Sequence, residues 1–508
     1  MRKFGLVLAA LGLSACPIYG SLGYWEQVGA GSTGGPSGSG GATSTTVNST
    51  STTTGGAGGA GTGGTDGGAT CMPVGSGSTV WSHGYGEPGD QSALAAAYAV
   101  AVDAGGNVVV AGNFLGSVDF GCGKLTSGAA MSSGFVAKLD PGGVCLWSEN
   151  LIGSIGVASV AVDASGNVLV TGTFEGSIKL GGSTLTAGAG LEDLFVAKLD
   201  PSGTPVWGAS ALVTGGDSHG TGIAVDTTGN VIVIGYFSGS IAFAGTTLTS
   251  AGGGSAFVAK LDLSGTPMWG KSFGTMGSTD GDGIAVDASG SIVITGTFGP
   301  SIDFGCGTLT TAQEYNPFVA KLSPTGACSW SRAFTGATAV GTSIAVDPSA
   351  NVVVTGYLAA DGPIDLGGPK PVAPPGGAGM FVAKFAPNGT YGWGNVFGTS
   401  GATDGDGVAV DGEGGVFVVG YLNGSVNFGG STLTSVDGEN LVLASFEADG
   451  SYRWAKRFGT PLEEYVVGIA VDPSSHVLIA GAFANSVDFG CGPFVSAGED
   501  AFVAEFVR

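Results

Sequence analysis

The chain has 508 residues, 100 of them Gly, and a formal net charge of −23 from 16 basic and 39 acidic residues. Only 11% of residues are charged while 43% are hydrophobic, which excludes a highly charged disordered chain, and the Gly residues lack the three-residue period of collagen. So acidic a chain repels phosphate backbones and anionic headgroups, which excludes nucleic acid as a partner, and three His residues limit catalysis that needs several imidazoles.

Residues 1–16 read MRKFGLVLAALGLSAC. A basic start (Arg2, Lys3), an apolar run from Phe4 to Leu13 and the small residues Ser14 and Ala15 make an export signal. The run is shorter than the roughly 20 residues a membrane-spanning helix needs. Leu13-Ser14-Ala15-Cys16 resembles a bacterial lipobox, which implies that Cys16 carries lipid as the first residue of the mature protein. An ordinary signal peptide ending beside a Cys is the alternative. Pro17 stands where an inner-membrane retention signal has Asp, so the resemblance implies an outer-membrane lipoprotein. No other apolar stretch is long enough to span a bilayer as a helix, so attachment to the membrane is expected to rest on that lipid.

Residues 17–70 read as a flexible tether. From Gln27 to Thr70 the composition is dominated by Gly, Ser, Thr and Ala, with Asp66 as the one charge and no aromatic. Such a segment cannot bury enough apolar surface to order itself. Its r.m.s. reach is roughly 35 Å. The block Thr43–Thr54 reads as spacer in preference to a carrier of O-linked sugar.

From residue 71 the chain repeats. An apolar-Ala-Val-Asp phrase, followed by a turn and an apolar run ending in Gly, has its Asp at Asp103, Asp163, Asp226, Asp287, Asp347, Asp411 and Asp472. A second phrase, Phe-Val-Ala-Lys-Leu then Gly-x-x-x-Trp, follows. It spans Phe135–Trp147, Phe195–Trp207, Phe257–Trp269, Phe318–Trp330 and, with Phe in the Leu slot, Phe381–Trp393. A degenerate copy has Val442 and Ser445 in the Phe and Lys slots before Trp454. The last copy, Phe502–Arg508, has no Trp after it, whereas Gly77–Trp81 stands alone before the first Asp phrase. An open stack has no reason to divide a unit between its ends; a ring does, because the N-terminal strand then removes a seam of unpaired backbone.

Each unit reads as four short strands with turns such as Ala164-Ser165-Gly166 and Pro201-Ser202-Gly203. The strands are apolar on successive residues, the pattern of burial on both faces. The Trp side chains (Trp81, Trp147, Trp207, Trp269, Trp330, Trp393, Trp454) are expected in the wide outer gaps between sheets, their ring N–H groups seeking partners. The predicted fold is an all-β, seven-bladed β-propeller over residues 71–508, closed by an N-terminal strand.

These phrases resemble the bacterial seven-bladed β-propeller repeat of exported and surface proteins. The resemblance covers about residues 75–508 and implies the fold; the family carries no general catalytic signature. The chain departs from it by a Pro-rich insertion, Asp361–Pro375, read as an enlarged surface loop.

Cys122 and Cys306 share a Phe-Gly-Cys-Gly slot, and Cys145 and Cys328 each lie two residues before a Trp. That pattern suggests Cys122–Cys145 and Cys306–Cys328 disulfides, permitted by an oxidising exported setting. Cys491 repeats the slot in the last unit, so Cys71 is its expected partner, although its distance from Trp81 breaks the register. Metal ligation is disfavoured, because no Cys has a second Cys or a His at ligand spacing.

The segments from each Trp to the next Asp phrase are read as variable loops. Two carry Asp280-Gly281-Asp282-Gly283 and Asp404-Gly405-Asp406-Gly407, whose carboxylates are candidate calcium ligands, without the distal Glu of an EF-hand. Asp90, Asp217, Glu463 and Glu464 add acid to corresponding loops, a face suited to a cation or a basic partner. The seven repeated Asp residues invite a reading as an axial ring of carboxylates; pinning of hairpins through backbone N–H bonds is favoured. Lys138, Lys198, Lys260, Lys321 and Lys384 are expected near them. His83 and His219 are read as equivalent loop residues and His476 as a hairpin-turn residue, with no nucleophile, base and orienter assignable among them.

The favoured function is a lipid-tethered cell-surface binding or scaffold module, non-catalytic, for a protein or glycan partner. A lyase- or hydrolase-type enzyme using Asp280, Asp282, His83 or His219 in an axial funnel is the alternative, and a structural envelope coat a third. An enzyme would break the repeat with polar residues in one or two units; the inner phrases read as nearly uniform.

Overall fold

The computed structural model describes residues 69–508 apart from 72, 74, 88–92, 129–131, 244, 275–276, 314, 360–361, 375–377, 399, 437 and 460–463. The leader, the lipobox with Cys16, all but the last two tether residues, Asp90, Glu463 and both ends of the Asp361–Pro375 insertion lie outside the described residues.

The described residues contain strands and no helix. In the second repeat Ser154–Val162, Val168–Glu175, Glu192–Leu199 and Pro205–Ser210 pair antiparallel in sequence order, and the same order recurs along the chain. The cores lie between neighbouring sheets. Val109, Ala111 and Val136 of one repeat pack with Val168, Val170 and Phe195 of the next. Both faces of a middle strand are therefore buried, which is the physical reason for unbroken apolar runs such as Phe-Val-Ala.

A small hairpin follows the second strand in several repeats, as in Ser177–Leu180 with Ser183–Thr186. Ile178 and Leu180 enter the same core. These hairpins were not expected from the sequence; their signal, a short Gly-Ser-apolar-x-apolar stretch, is too brief to read as two strands. The insertion after residue 360 takes the equivalent place. Its Ile364 and Leu366 are buried and Ile364 bridges Val372, which corrects its reading as a surface loop only.

The Trp side chains sit on the outermost strands. Trp147 Nε1 donates to the Pro201 carbonyl of the following repeat at 2.9 Å, and Trp81, Trp207, Trp330 and Trp393 make the corresponding bond. Over Trp147 lies Gly203, at φ +89°, where a Cβ would meet the indole at 2.7 Å. Gly77, before the first Asp phrase, lies over Trp454 in the same way.

The N-terminal strand Thr79–Tyr85 pairs antiparallel with Pro493–Phe506, Trp81 opposite Glu505 and His83 opposite Val503. The innermost strand of each repeat packs against that of the next, and Glu464–Val471 of the last packs against Leu94–Val102 of the first. The chain is thus an all-β, β-propeller-like repeat. Disulfides join Cys122 to Cys145, Cys306 to Cys328 and Cys71 to Cys491, with Cα separations of 5.6, 5.6 and 5.5 Å.

Candidate functional site

Two sets of carboxylates recur, in opposite surroundings. The first closes the hairpins after the innermost strands. Asp163 Oδ1 accepts the backbone N–H groups of Ser165 and Asn167, both at 2.9 Å, while Oδ2 accepts the Asn167 amide at 2.7 Å and pairs with Lys198 Nζ at 2.9 Å. Asp103–Lys138, Asp226–Lys260, Asp287–Lys321 and Asp347–Lys384 repeat the pair at 2.8–3.0 Å. Burial alone would raise these acids, but Lys and Asn donors at Asp103, Asp163 and Asp347, and Lys321, Ser289 and Ser291 at Asp287, outweigh it and hold all four below the usual carboxylate range. The carboxylate oxygens find these partners within the repeat, while Lys260 and Lys384 also donate to the Pro324 and Gly414 carbonyls of the following one.

The second set lies at the axis. In each described repeat the innermost strand carries a bulge, a residue left unpaired against its neighbour strand. The bulges fall at Tyr98, Ala158, Thr221, Asp282, Thr342, Asp406 and Val467. Polar residues occupy four consecutive repeats. Thr221 Oγ1 donates to the Gly281 carbonyl at 2.6 Å and Thr342 Oγ1 to that of Gly405 at 2.5 Å, each bonding the bulge of the next repeat.

An axial cavity of about 570 Å³ opens among these strands, and all the repeats contribute to its wall. Tyr98, Tyr315 and Tyr357 face it with Asp280, Asp282 and Asp406. Asp280 and Asp282 lie on the strand Thr279–Val286, and Asp404 and Asp406 on Ser400–Val410. Their assignment to variable loops is corrected. The strand simply begins earlier than its apolar residues do, because the bulge lets Gly and Asp enter a paired segment. Among the described residues, the groups of three or more metal-ligating side chains whose ligand atoms lie within 4.8 Å of one another reduce to Asp472, His476 and Glu505.

Enclosure by protein dominates the axial acids. It pushes Asp280 up to about 6 against a hydrogen bond from Ser278, and Asp404 up to about 7 with help from Glu439. Asp282 and Asp406 rise further, from desolvation first and then from Asp280 and Asp404 respectively. Asp406 Oδ2 is buried and finds no hydrogen-bond partner among the described residues. Carboxyls in this state can donate as well as accept.

The His residues are placed differently from expectation. His219 is buried on the innermost strand Ser218–Val225, stacked on Tyr236 at 4.5 Å, and desolvation lowers it to about 4. His83 is on the outer strand Thr79–Tyr85, stacked on Tyr85, also lowered by burial. They are neither equivalent nor in loops. Asp217 precedes the His219 strand and accepts the Glu192 N–H at 3.1 Å; Glu464 begins an innermost strand.

No protein-family model matches the chain. A WD repeat-containing protein of Acanthamoeba polyphaga mimivirus is 31% identical over 157 residues, 28% of this chain, and the chain spans 11% of that relative's length. Among solved structures, a streptogramin B lyase is 10% identical over 83% of this chain and 96% of its own, with a TM-score of 0.40. Sqt1 from Chaetomium thermophilum is 11% identical over 79% and 84%, TM-score 0.40, and the WD40 repeats of RRP9 10% over 70% and 95%, TM-score 0.33.

Proposed function

We propose that the chain is a closed seven-bladed β-propeller, exported and lipid-tethered at the outer membrane through Cys16, that binds a glycan in its axial cavity. Closure is supported by the pairing of Trp81 with Glu505, the Cys71–Cys491 bond and the seating of Gly77 on Trp454. The observation that carries the ligand is the meeting of Tyr98, Tyr315 and Tyr357 with Asp280, Asp282 and Asp406 around one cavity. Aromatic rings cover the apolar face of a sugar, and carboxyls bond its hydroxyls. A protein partner, the other expectation from the sequence, would have less use for a cavity of this size.

Screening the purified chain against envelope glycans tests the reading. Binding should appear for the wild type and weaken about tenfold or more in Asp406→Asn and in Tyr357→Ala, a loss of at least about 1.4 kcal/mol. A screen without a hit, or a hit indifferent to both substitutions, overturns it.

One observation favours a second reading. The Asp-Gly-Asp segments break the repeat in two units, where an enzyme would place its acids, and Asp280 and Asp404 are raised to about 6 and about 7, towards the working range of a general acid. Slow hydrolysis of the bound glycan at about pH 6, abolished by Asp280→Asn, would turn the binding module into an enzyme.

A further inference from the structure

The last repeat replaces the hairpin ion pair with something else. Five repeats set a Lys ammonium 2.8–3.0 Å from the hairpin Asp. In the sixth, Ser445 has the Lys position and Arg508 Nε, from the end of the chain, reaches Asp411 Oδ2 at 2.9 Å. In the last, Glu505 has the Lys position and His476 the place of Asn four residues after the Asp. A second carboxylate therefore stands where a cation belongs.

His476 Nδ1 lies 2.6 Å from Glu505 Oε1 and 3.8 Å from Asp472 Oδ2, and the three ligand atoms are all within 4.8 Å of one another. The Glu505 and Asp472 side chains are 6% and 12% exposed, so their mutual repulsion is poorly screened by water, whereas His476 is 30% exposed and leaves a way in. Burial raises Glu505 against the hydrogen bond and charge of His476, with Asp472 adding to the rise.

We propose that Asp472, His476 and Glu505 bind one divalent transition-metal ion, with zinc the best match. One imidazole nitrogen and two carboxylate oxygens suit zinc, whereas calcium calls for six to eight oxygens. Bonds of about 2.0–2.2 Å in a tetrahedron space ligands about 3.3–3.6 Å apart, between the two separations present, so small side-chain rotations suffice. Water completes the shell on the exposed side. The ion takes the place of the sibling Lys ammonium and ties the Asp472–His476 hairpin to the strand Pro493–Phe506, the one that receives the N-terminal strand. The site stands apart from the axial cavity and does not rest on the glycan reading.

The test uses the purified chain with its disulfides formed, stripped with chelator and titrated with Zn²⁺ in a calorimeter. One equivalent should bind and survive desalting, and Zn²⁺ should raise the melting temperature. The double variant His476→Asn with Glu505→Lys rebuilds the Asp, Asn and Lys trio found in four of the other repeats; it should lose that equivalent and the temperature rise. Glu505→Gln, a gentler change, should weaken binding at least tenfold. Absence of saturable binding in the wild type, as when His476 serves as an imidazolium counter-ion only, overturns the proposal. So does retention of the same equivalent by both variants.

Discussion

The hairpin aspartates and the axial aspartates are the same residue in repeats of the same design, yet they end in opposite electrostatic states. Asp226 has Lys260, Thr228 and Asn230 around it and is driven far down; Asp404, a few residues before the matching hairpin of another repeat, is driven up to about 7. Both sets are desolvated. The difference is the supply of donors, which the repeat provides at the hairpin and omits at the axis. A carboxylate with all its partners inside the repeat serves the architecture, whereas one left short of donors beside a cavity is available to a ligand.

The comparison breaks most readily at Lys260. Lys260→Met should cost about 3–5 kcal/mol, read in urea unfolding, because Asp226 is then left as a buried charge without its ion partner. A neutral result would mean that the Asn and backbone donors suffice.

Acidity should then separate the two sets by sign. The hairpin acids have lowered values in the fold, so their stabilisation is present above the unfolded value of about 3.9 and is lost as pH falls through the folded values. The axial acids have raised values, so a penalty builds as pH rises from the unfolded value of about 3.9 and is complete above about 6 for Asp280 and about 7 for Asp404, where the fold too has given up its protons. That penalty fades as pH falls towards 4. Stability should therefore peak near pH 4, and Asp404→Asn should flatten the decline between about pH 4 and pH 7 by on the order of 2–4 kcal/mol. A melting curve series that leaves Asp404→Asn parallel to the wild type would erase the distinction.

Smaller effects sharpen it. Removing Arg508 should cost about 1–2 kcal/mol, less than Lys260→Met, since the Arg508 side chain is 26% exposed and Arg453 stands by at 3.9 Å. Thr342→Val should cost about 1 kcal/mol through the lost bond to Gly405 and shift the Asp406 bulge beside it, visible as weakened ligand binding with little change in melting.

The repeat, the strand order and the disulfide pairs were legible because each is written several times over. Phe-Val-Ala-Lys recurs, and Cys122 and Cys306 fall in one slot, so a single chance match could not mislead. The hairpin role of Asp163 was legible for a related reason: its partners Ser165 and Asn167 are two and four residues away. The axial site was not. Asp282 and Asp406 look like loop acids in a line of sequence, because a bulge leaves no mark on composition, and Gly-Asp-Gly reads as a turn. The buried stack of His219 on Tyr236 was equally hidden, being a contact between two strands.

Sequence alone determined what short-range chemistry and repetition can encode: the unit, its turns, its apolar runs and the divided last unit. The tertiary structure decided which side chains meet. Burial, and with it the charge state of every axial acid, depends on neighbours about sixty residues away, and the placement of His476 between Asp472 and Glu505 depends on a strand that arrives last. Those separations lie outside any local pattern, so only the folded arrangement could set them.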